Sequence, residues 1–521
     1  MRYDVVIAGG GFAGAYCAKT LGPLLGRSGE KRVALIAERN VLVFQPMLAE
    51  VAGSSLAPFD VVHPLRQLCR HVDVLQGNIQ EIDWAGKTLL LDGGRFTRNH
   101  PVGFDQLVLA LGSVTDLSRV PGMTEYGWPM KSVSDAMRLR AALINRLEEA
   151  NLVDDEEDRT RLLTFVIVGG GYTGVETAGQ ILDLVQGAQR YYVNLRGKPL
   201  RVVLVHGHAH LLAEIGPELG DYARRVLEKR GMEMRLDTRV AEVTASRVVF
   251  EGGESIETHT VVTSVGNAPH PVVLDLCRQL GITADRGRVP TDEMLRVPGH
   301  AGLWAAGDCA AVPWNDRGVT KASPPTAQFA LRHGRQLGRN IARVFAGEPP
   351  RPFKYRYMGQ LATVGSRAAV AELFGFRFSG FFAWWLWRTV YLAKLPGVLR
   401  KLRVMTDWTF DLFFPRDLSL VLPPPEDQLR GIHLARDEKL FNQGDKCRAF
   451  FYVRKGSVAL SQAGGPGRVL PAGSVIDRAL LDDSGCWSCG ASAAESADLV
   501  AIRGRALQLL QTELQLSRRG A

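Results

Sequence analysis

The chain is 521 residues long, carries a formal net charge of +9, and is 46% hydrophobic and 22% charged, so it has room for several domains with ordinary cores. Its seven cysteines are dispersed without secreted-type spacing, which argues against a disulfide scaffold and for a reducing compartment. The N-terminus enters an apolar run at once, with no charged n-region, cleavage site or Arg-rich presequence, so nothing there directs export or organelle import.

The first run, Val5-Val6-Ile7-Ala8-Gly9-Gly10-Gly11-Phe12-Ala13-Gly14, predicts a strand, a G-x-G-x-x-G turn and a helix. Gly9, Gly11 and Gly14 let the backbone turn tightly and approach a pyrophosphate held at the helix N-terminus. Lys31 to Glu38 predicts a second parallel strand ending in an acid, and the Glu38 carboxylate suits a ribose 2′-OH. Phe165 to Gly174 repeats the first pattern with Gly169, Gly171 and Gly174. One such turn is a weak signal. Two in strand-turn-helix context predict two bound dinucleotides. The strand after the second turn, Arg201 to Val205, ends in His206 rather than an acid, with His208, His210 and Arg239 as further candidates to lie nearby. A neutral or cationic rim rejects a 2′-phosphate less than a carboxylate does, so the second site stays open between NADH and NADPH.

Further on, Gly302 to Ala310 reads Gly-Leu-Trp-Ala-Ala-Gly-Asp-Cys-Ala. This resembles the G-D motif of the two-dinucleotide-binding flavoprotein superfamily, in which the aspartate, here Asp308, hydrogen-bonds the ribitol of FAD. In that superfamily the N-terminal turn takes FAD and the second takes the nicotinamide. Phe104 to Ser113, with Gly112, resembles the strand that closes the FAD domain. Val261 to Pro269, with Gly266, resembles its counterpart after the nicotinamide domain.

From Phe378 the chain reads Phe-Ser-Gly-Phe-Phe-Ala-Trp-Trp-Leu-Trp and then carries Arg388, Lys394, Arg400, Lys401 and Arg403 before Trp408. The apolar run is far short of the ~20 residues of a spanning helix. Trp384, Trp385 and Trp387 beside cations instead predict a helix lying in a headgroup region and drawn to an anionic lipid surface. A buried core helix or a dimer interface is the alternative. Nucleic acid is the weaker partner, since no nucleic-acid-binding fold is recognisable.

Across Met1 to Arg416 the chain resembles the type II NADH dehydrogenases, single-subunit NADH:quinone oxidoreductases. Phe44 to Gly53 (Phe-Gln-Pro-Met-Leu-Ala-Glu-Val-Ala-Gly) is similar to the family's stretch after the first acid. Gly174 to Gly179 carries the family's glutamate as Glu176. Pro325 to Ala330 resembles its A-Q-x-A element, with Gln328, and Tyr357 to Ser366 resembles the segment leading into the membrane-binding helices. The resemblance implies hydride transfer from NADH to FAD and onward reduction of a membrane quinone, without proton pumping. It makes Glu176 a candidate for shaping the nicotinamide contact or relaying protons, and Gln328 one for positioning flavin and quinone. The plainer roles are a first-turn acid on a helix dipole and a helix-opening polar residue. Arg332 stands where the family often has a second glutamine, followed by His333. No C-x-x-C lies beside the flavin motifs, and Cys17, Cys69, Cys277 and Cys309 offer no obvious pair, which argues against a disulfide or sulfide:quinone reductase.

After Pro423-Pro424-Pro425, a predicted linker, short strands broken by glycines predict a small β-roll. The pattern resembles a cyclic-nucleotide-binding domain whose closing helix would come from Val500 onward. No arginine occupies the expected phosphate position, leaving Arg478 as the substitute, so a docking domain is favoured over a cyclic-nucleotide sensor. Cys486 and Cys489 form a lone C-x-x-C and cannot complete a zinc site.

The expected fold class is therefore α/β, with two Rossmann-type dinucleotide-binding domains, a C-terminal amphipathic membrane-binding segment and a small β-roll-like domain. The expected divisions are 1–118 and 289–375 for FAD, 119–288 for NAD(P)H, 376–420 for the membrane surface and 427–521 for the last domain. The expected place is the cytoplasmic face of the cell membrane, as a peripheral protein, with a homodimer left open. The alternatives are a flavoprotein NAD(P)H oxidoreductase with a non-quinone acceptor, and a redox-sensing regulator with the last domain as output.

Overall fold

The computed structural model describes residues 1–420 except 95, 317 and 366, and residues 429–502 except 446, 448, 462–467, 478, 479 and 482–485. β1 (Arg2–Ala8) takes the centre of the first sheet because Val5, Val6, Ile7 and Ala8 are apolar towards both faces and fully buried. Such an uninterrupted run suits a parallel strand covered on both sides. β2 (Val33–Ala37) and β3 (His100–Leu109) flank it in parallel, with Val5 opposite Val33 and Gln106. Asp73–Gln76 lies outside β2, and Leu303–Ala305 adds in parallel to β3. β4 (Thr164–Val168) repeats the plan between β5 (Arg201–Val205) and β6 (Thr260–Thr263), with Phe165 opposite Val202 and Thr260. The two expected Rossmann-type sheets are present. The short strands Ser113–Thr115 and Asn267–Pro269 pair antiparallel and join the two halves.

Six helices frame the site and its surroundings: α1 (Phe12–Leu21) and α2 (Leu48–Ala52) in the first half, α3 (Tyr172–Gln189) after β4, then α4 (Ala327–Phe345), α5 (Phe381–Lys394) and α6 (Val398–Phe410). α4 packs along α1. β7 (Gly359–Thr363) opens a three-stranded antiparallel sheet that ends at Gly380, from which α5 departs. Among the described residues no helix is long and apolar enough to cross a membrane.

The α5–α6 hairpin corrects the expectation that all three tryptophans face lipid. Trp384 and Trp387 are buried against the body of the protein, as is Trp408, while Trp385 is half-exposed at 52%. Residues 384 and 387 share a helix face, and 385 lies about 100° round from 384. The outward face is apolar none the less, with Phe381, Phe382, Leu399, Leu402 and Phe410 all exposed. The five cations also divide. Arg388 is enclosed, 3.9 Å from the Trp384 ring centre and 3.7 Å from Asp411, and burial lowers the Lys394 pKa. Arg403 is exposed, and Arg400 and Lys401 are half-buried.

Beyond residue 428 the chain forms two four-stranded antiparallel sheets, beginning with β8 (Leu429–Leu434). Their core is aromatic: Phe441 stacks on Trp487 at 4.1 Å, with Phe451 beside both. Val500 lies in the strand Ala497–Ile502, whose residues alternate inward and outward as partners of β8, and the rest of the tail expected to supply a closing helix lies outside the described residues. Arg478 lies outside the described residues. This unit docks on the nucleotide half through His433, which is 4% exposed and sits between Glu242 and Asp498.

Candidate functional site

Both glycine turns are built alike. Gly9 and Gly169 leave β1 and β4 with φ of +116° and +115°. A Cβ on Gly14 or Gly174 would lie 1.8 Å from the carbonyl oxygen of Gly9 or Gly169, so each third glycine lets its helix press onto its own turn. Gly11 and Gly171 have open space where a side chain would project. They cap α1 and α3 with no side-chain hydrogen bond to the first turn. The helix N–H groups thus face open space, as a pyrophosphate requires.

Around the first turn, Glu38 is exposed one residue past β2, and Gly112 follows β3 with φ +69° and open space beside it. Asp308 lies in the short turn Gly307–Cys309. Burial raises its carboxyl pKa, opposed by the charges of Lys131 and Arg288. Lys131 Nζ donates to Ser113 Oγ at 2.8 Å and Asn267 Oδ1 at 3.2 Å, bridging the strands that join the two halves. The Gly307 N–H donates to His333 Nδ1 at 3.4 Å, and burial pushes that imidazole down to about 3. His333 is therefore a neutral acceptor that fixes the Gly-Asp turn. The open glycine cradle, the exposed acid and the half-buried aspartate together fit FAD.

Around the second turn, His206 Nδ1 accepts the Gly170 N–H at 3.0 Å. Burial and then His208, 5.2 Å away ring to ring, lower its pKa, so the imidazole is neutral at pH 7. Arg239 packs over Gly207, whereas His210 turns to Asp221 at 3.3 Å. Gly266, with φ +92°, backs onto the Asp116 carbonyl. The surroundings of His206 are therefore mixed, with Arg239 over Gly207 and the charges of Glu214 and Asp237 acting on the imidazole.

Glu176 is the fifth residue of α3, past its first turn, and is 8% exposed. Its Oε1 accepts the Thr363 N–H of β7 at 3.1 Å. That orientation removes the helix-dipole role, because the carboxyl turns inward under the hairpin. Burial raises its pKa to about 8, with the Thr363 N–H opposing and Glu50 adding to the rise. Glu50 comes from α2 and accepts Trp408 Nε1 at 3.1 and 3.2 Å. Burial raises its pKa to about 7, opposed first by Arg388. Trp387 lies 6.0 Å from Trp408 and 4.6 Å from Tyr391, ring to ring. Two buried carboxyls thus share one aromatic roof supplied by α5 and α6.

Gln328 is the second residue of α4. Its Nε2 donates to the Gly359 carbonyl at 3.3 Å and its Oε1 accepts from Tyr355 Oη at 3.1 Å. Arg332 donates to the Gln328 carbonyl at 2.8 Å and lies 4.1 Å from the Tyr355 ring centre. Phe44 touches Phe12 at the start of α1 and Tyr391 on α5, at 5.9 and 6.1 Å. The first glycine turn and the hairpin are thereby linked through Phe12, Phe44 and Tyr391. Glu50, Lys131 and Tyr391 escaped the sequence reading. Glu50 had a signal, an acid within the apolar run Met47 to Ala52; Lys131 and Tyr391 had none.

Three family models match the chain: pyridine nucleotide-disulphide oxidoreductase over residues 3–334, NDH2 C-terminal domain over 357–417, and cyclic nucleotide-binding domain over 432–513. The type II NADH:quinone oxidoreductase Ndh of Mycobacterium tuberculosis is 33% identical over 436 residues, covering 81% of this chain and 90% of that protein. Demethylphylloquinone reductase NdbB of Synechocystis is 30% identical over 416 residues, covering 78% and 96%. The NDH2 structure from Plasmodium falciparum in complex with NADH superposes with a TM-score of 0.73 at 18% identity, covering 80% of this chain and all of that one, a likeness of fold.

Proposed function

The chain belongs to the pyridine nucleotide-disulphide oxidoreductases and, within them, to the type II NADH:quinone oxidoreductases, and from that premise we propose how its residues divide the work and where the work is done. The protein uses FAD and NAD(H) and transfers electrons from NADH to a quinone. FAD, when bound, supplies the hydride acceptor and hands the electrons on. Gly9, Gly11, Gly14, Glu38, Gly112 and Asp308 hold it in a unit made of residues 1–118 and 289–375. Gly169, Gly171, Gly174, His206 and Gly266 hold the nicotinamide dinucleotide in residues 119–288. Glu176 holds a proton close to the reacting rings, and Gln328, fixed by Tyr355 and Gly359, orients the quinone head. The observation that carries this reading is the matched pair of glycine turns, each opening on an uncapped helix N-terminus.

The hairpin within residues 376–420 lies on the membrane without spanning it, which places the quinone site where a lipid-dissolved substrate reaches it. Its contiguous exposed apolar face supports this, since such faces mark interaction surfaces. We assign the protein to the cytoplasmic face of the cell membrane, working without proton pumping, and residues 427–521 to docking rather than nucleotide sensing. Rapid NADH-dependent reduction of a soluble quinone analogue by the purified, flavin-containing protein is the expected result. Turnover confined to non-quinone acceptors, or slow turnover with ligand-dependent partner binding, would replace this reading with one of the two alternatives.

Asp308→Ala tests the flavin assignment. Losing a charge-assisted hydrogen bond weakens flavin binding on the order of 10- to 100-fold, read as flavin absorbance per polypeptide after gel filtration. Full occupancy would remove Asp308 from the site. His206→Glu tests the nicotinamide rim. A carboxylate there opposes a 2′-phosphate, so the NADH/NADPH ratio of kcat/KM should rise at least about tenfold. An unchanged ratio would mean that His206 does not face the ribose.

A further inference from the structure

Where α5 gives way to α6, a cavity of about 340 Å³ opens that the redox chemistry does not use. Lys19 of α1, His63, Gln67, Arg70 and Gly397 line it, and no carboxylate does. Arg400 reaches the same place: a Cβ on Gly397 would lie 3.3 Å from His63 Nε2 and 3.8 Å from an Arg400 guanidinium nitrogen. Burial lowers the His63 pKa, and the charges of Arg400 and Lys19 lower it further, which shows how closely the cations gather.

Among the described residues, Lys19, Arg70 and Arg400 form no ion pair, whereas neighbouring Arg403 is paired with Asp60 at 3.8 Å. Gly397 is also the N-cap of α6, a helix of 13 residues, with φ +86° and no side-chain cap. The first-turn N–H groups of α6 therefore open beside the same cavity, adding the positive end of a helix dipole to the three cations. Immediately past the cap the chain turns apolar and outward, with Val398, Leu399 and Leu402 exposed at 75%, 60% and 51%. Three unpaired cations and an open helix terminus thus adjoin an apolar strip.

We propose that this cavity seats the phosphate of an anionic phospholipid. Lys19, Arg70 and Arg400 surround its oxygens, α6 donates backbone N–H groups, and the acyl chains lie along Val398, Leu399 and Leu402. A free phosphate would satisfy the cations and leave the apolar strip bare, which is why a lipid is the better occupant. The seat rests on the reading that the hairpin lies on a membrane, and it adds headgroup preference to that reading.

The test is a calorimetric titration of the full-length, flavin-loaded protein with dihexanoylphosphatidylglycerol below its micelle concentration, alongside inorganic phosphate. Saturable lipid binding is expected, weakened about fivefold by Lys19→Gln or Arg70→Gln and about 25-fold by both. Lys439→Gln, which removes one exposed charge from the last domain, should leave it unchanged. NADH oxidation with a soluble quinone analogue checks that each variant is folded. No loss in the double variant, or an equal loss in Lys439→Gln, overturns the seat, and inorganic phosphate binding as tightly as the lipid overturns the lipid as occupant. Sedimentation with phosphatidylcholine vesicles, with and without phosphatidylglycerol, separates the two ideas. Binding to both kinds with no anionic preference overturns the seat alone; binding to neither overturns the membrane reading with it.

Discussion

Glu176→Gln should lower the kcat for quinone reduction about 100-fold or more, the usual scale for loss of a positioned acid or base. The sign follows from burial. A carboxyl whose pKa is raised to about 8 carries its proton at pH 7 and loses it as the pH climbs through about 8. Wild-type turnover should therefore fall on the alkaline side of that value, where the group has no proton to give. Glutamine cannot titrate, so the variant should be slow and flat across the same range. Glu50 makes the experiment sharper. Its charge, under the same roof, raises the Glu176 pKa, so Glu50→Gln should move the alkaline limb downward while leaving a limb to see. Interacting groups titrate as a pair, and the limb reports the pair. If Glu176→Gln keeps both the wild-type rate and the wild-type profile, the carboxyl is not a proton source and only packs beneath the hairpin.

His433→Ala should detach the last domain from the nucleotide half without touching the redox centre. Its Nε2 lies 2.6 Å from Glu242 Oε1 and its Nδ1 2.6 Å from Asp498 Oδ1. Both nitrogens donate only in the imidazolium. The backbone N–H of His433 donates to Tyr126 Oη at 2.9 Å, Ser496 Oγ donates to Glu242 at 3.3 Å, and Arg454 lies 3.6 Å from Glu125 and 3.5 Å from Asp498. Removing the imidazolium leaves Glu242 and Asp498 facing each other half-desolvated, which costs about 2–5 kcal/mol. Calorimetry should then resolve the last domain as a separate, earlier transition.

The same geometry gives a pH window. Burial alone would lower the His433 pKa, but its bonds to Asp498 and Glu242 more than reverse this, and the folded pKa lies above 6.5. The imidazolium's share of the stability is complete below 6.5 and is lost as the pH rises through the folded value. Asp498 is held below 3.8, burial being outweighed by His433 and Arg454. Its share is present above 3.8 and is lost as the pH falls through its lowered value. Docking should be tightest in the mildly acidic range between these limits and loosen towards alkaline pH. A single transition at an unchanged temperature in His433→Ala would show that the clamp does not hold the two units together.

Much of the redox machinery is legible in the sequence, because it is made by local backbone chemistry. A glycine turn between an apolar run and a helix needs particular residues at fixed spacing, so Gly9 to Gly14 and Gly169 to Gly174 can be read directly, as can the Gly-Asp turn at Asp308. Long-range arrangement is not legible. Glu176 reads as a first-turn acid until α3 is packed against β7 and the Thr363 N–H claims its carboxyl. Trp384, Trp385 and Trp387 read as one lipid-facing set until the inward face of α5 is chosen, and that choice is made by Trp408 together with Glu50 and Glu176, the last two far away along the chain. Sequence by itself determined two dinucleotide turns, their order and the family. Only the tertiary structure decided which carboxyls are buried and which face of the hairpin turns outward. Burial and charge pairing depend on residues hundreds of positions apart, and no local pattern carries that information.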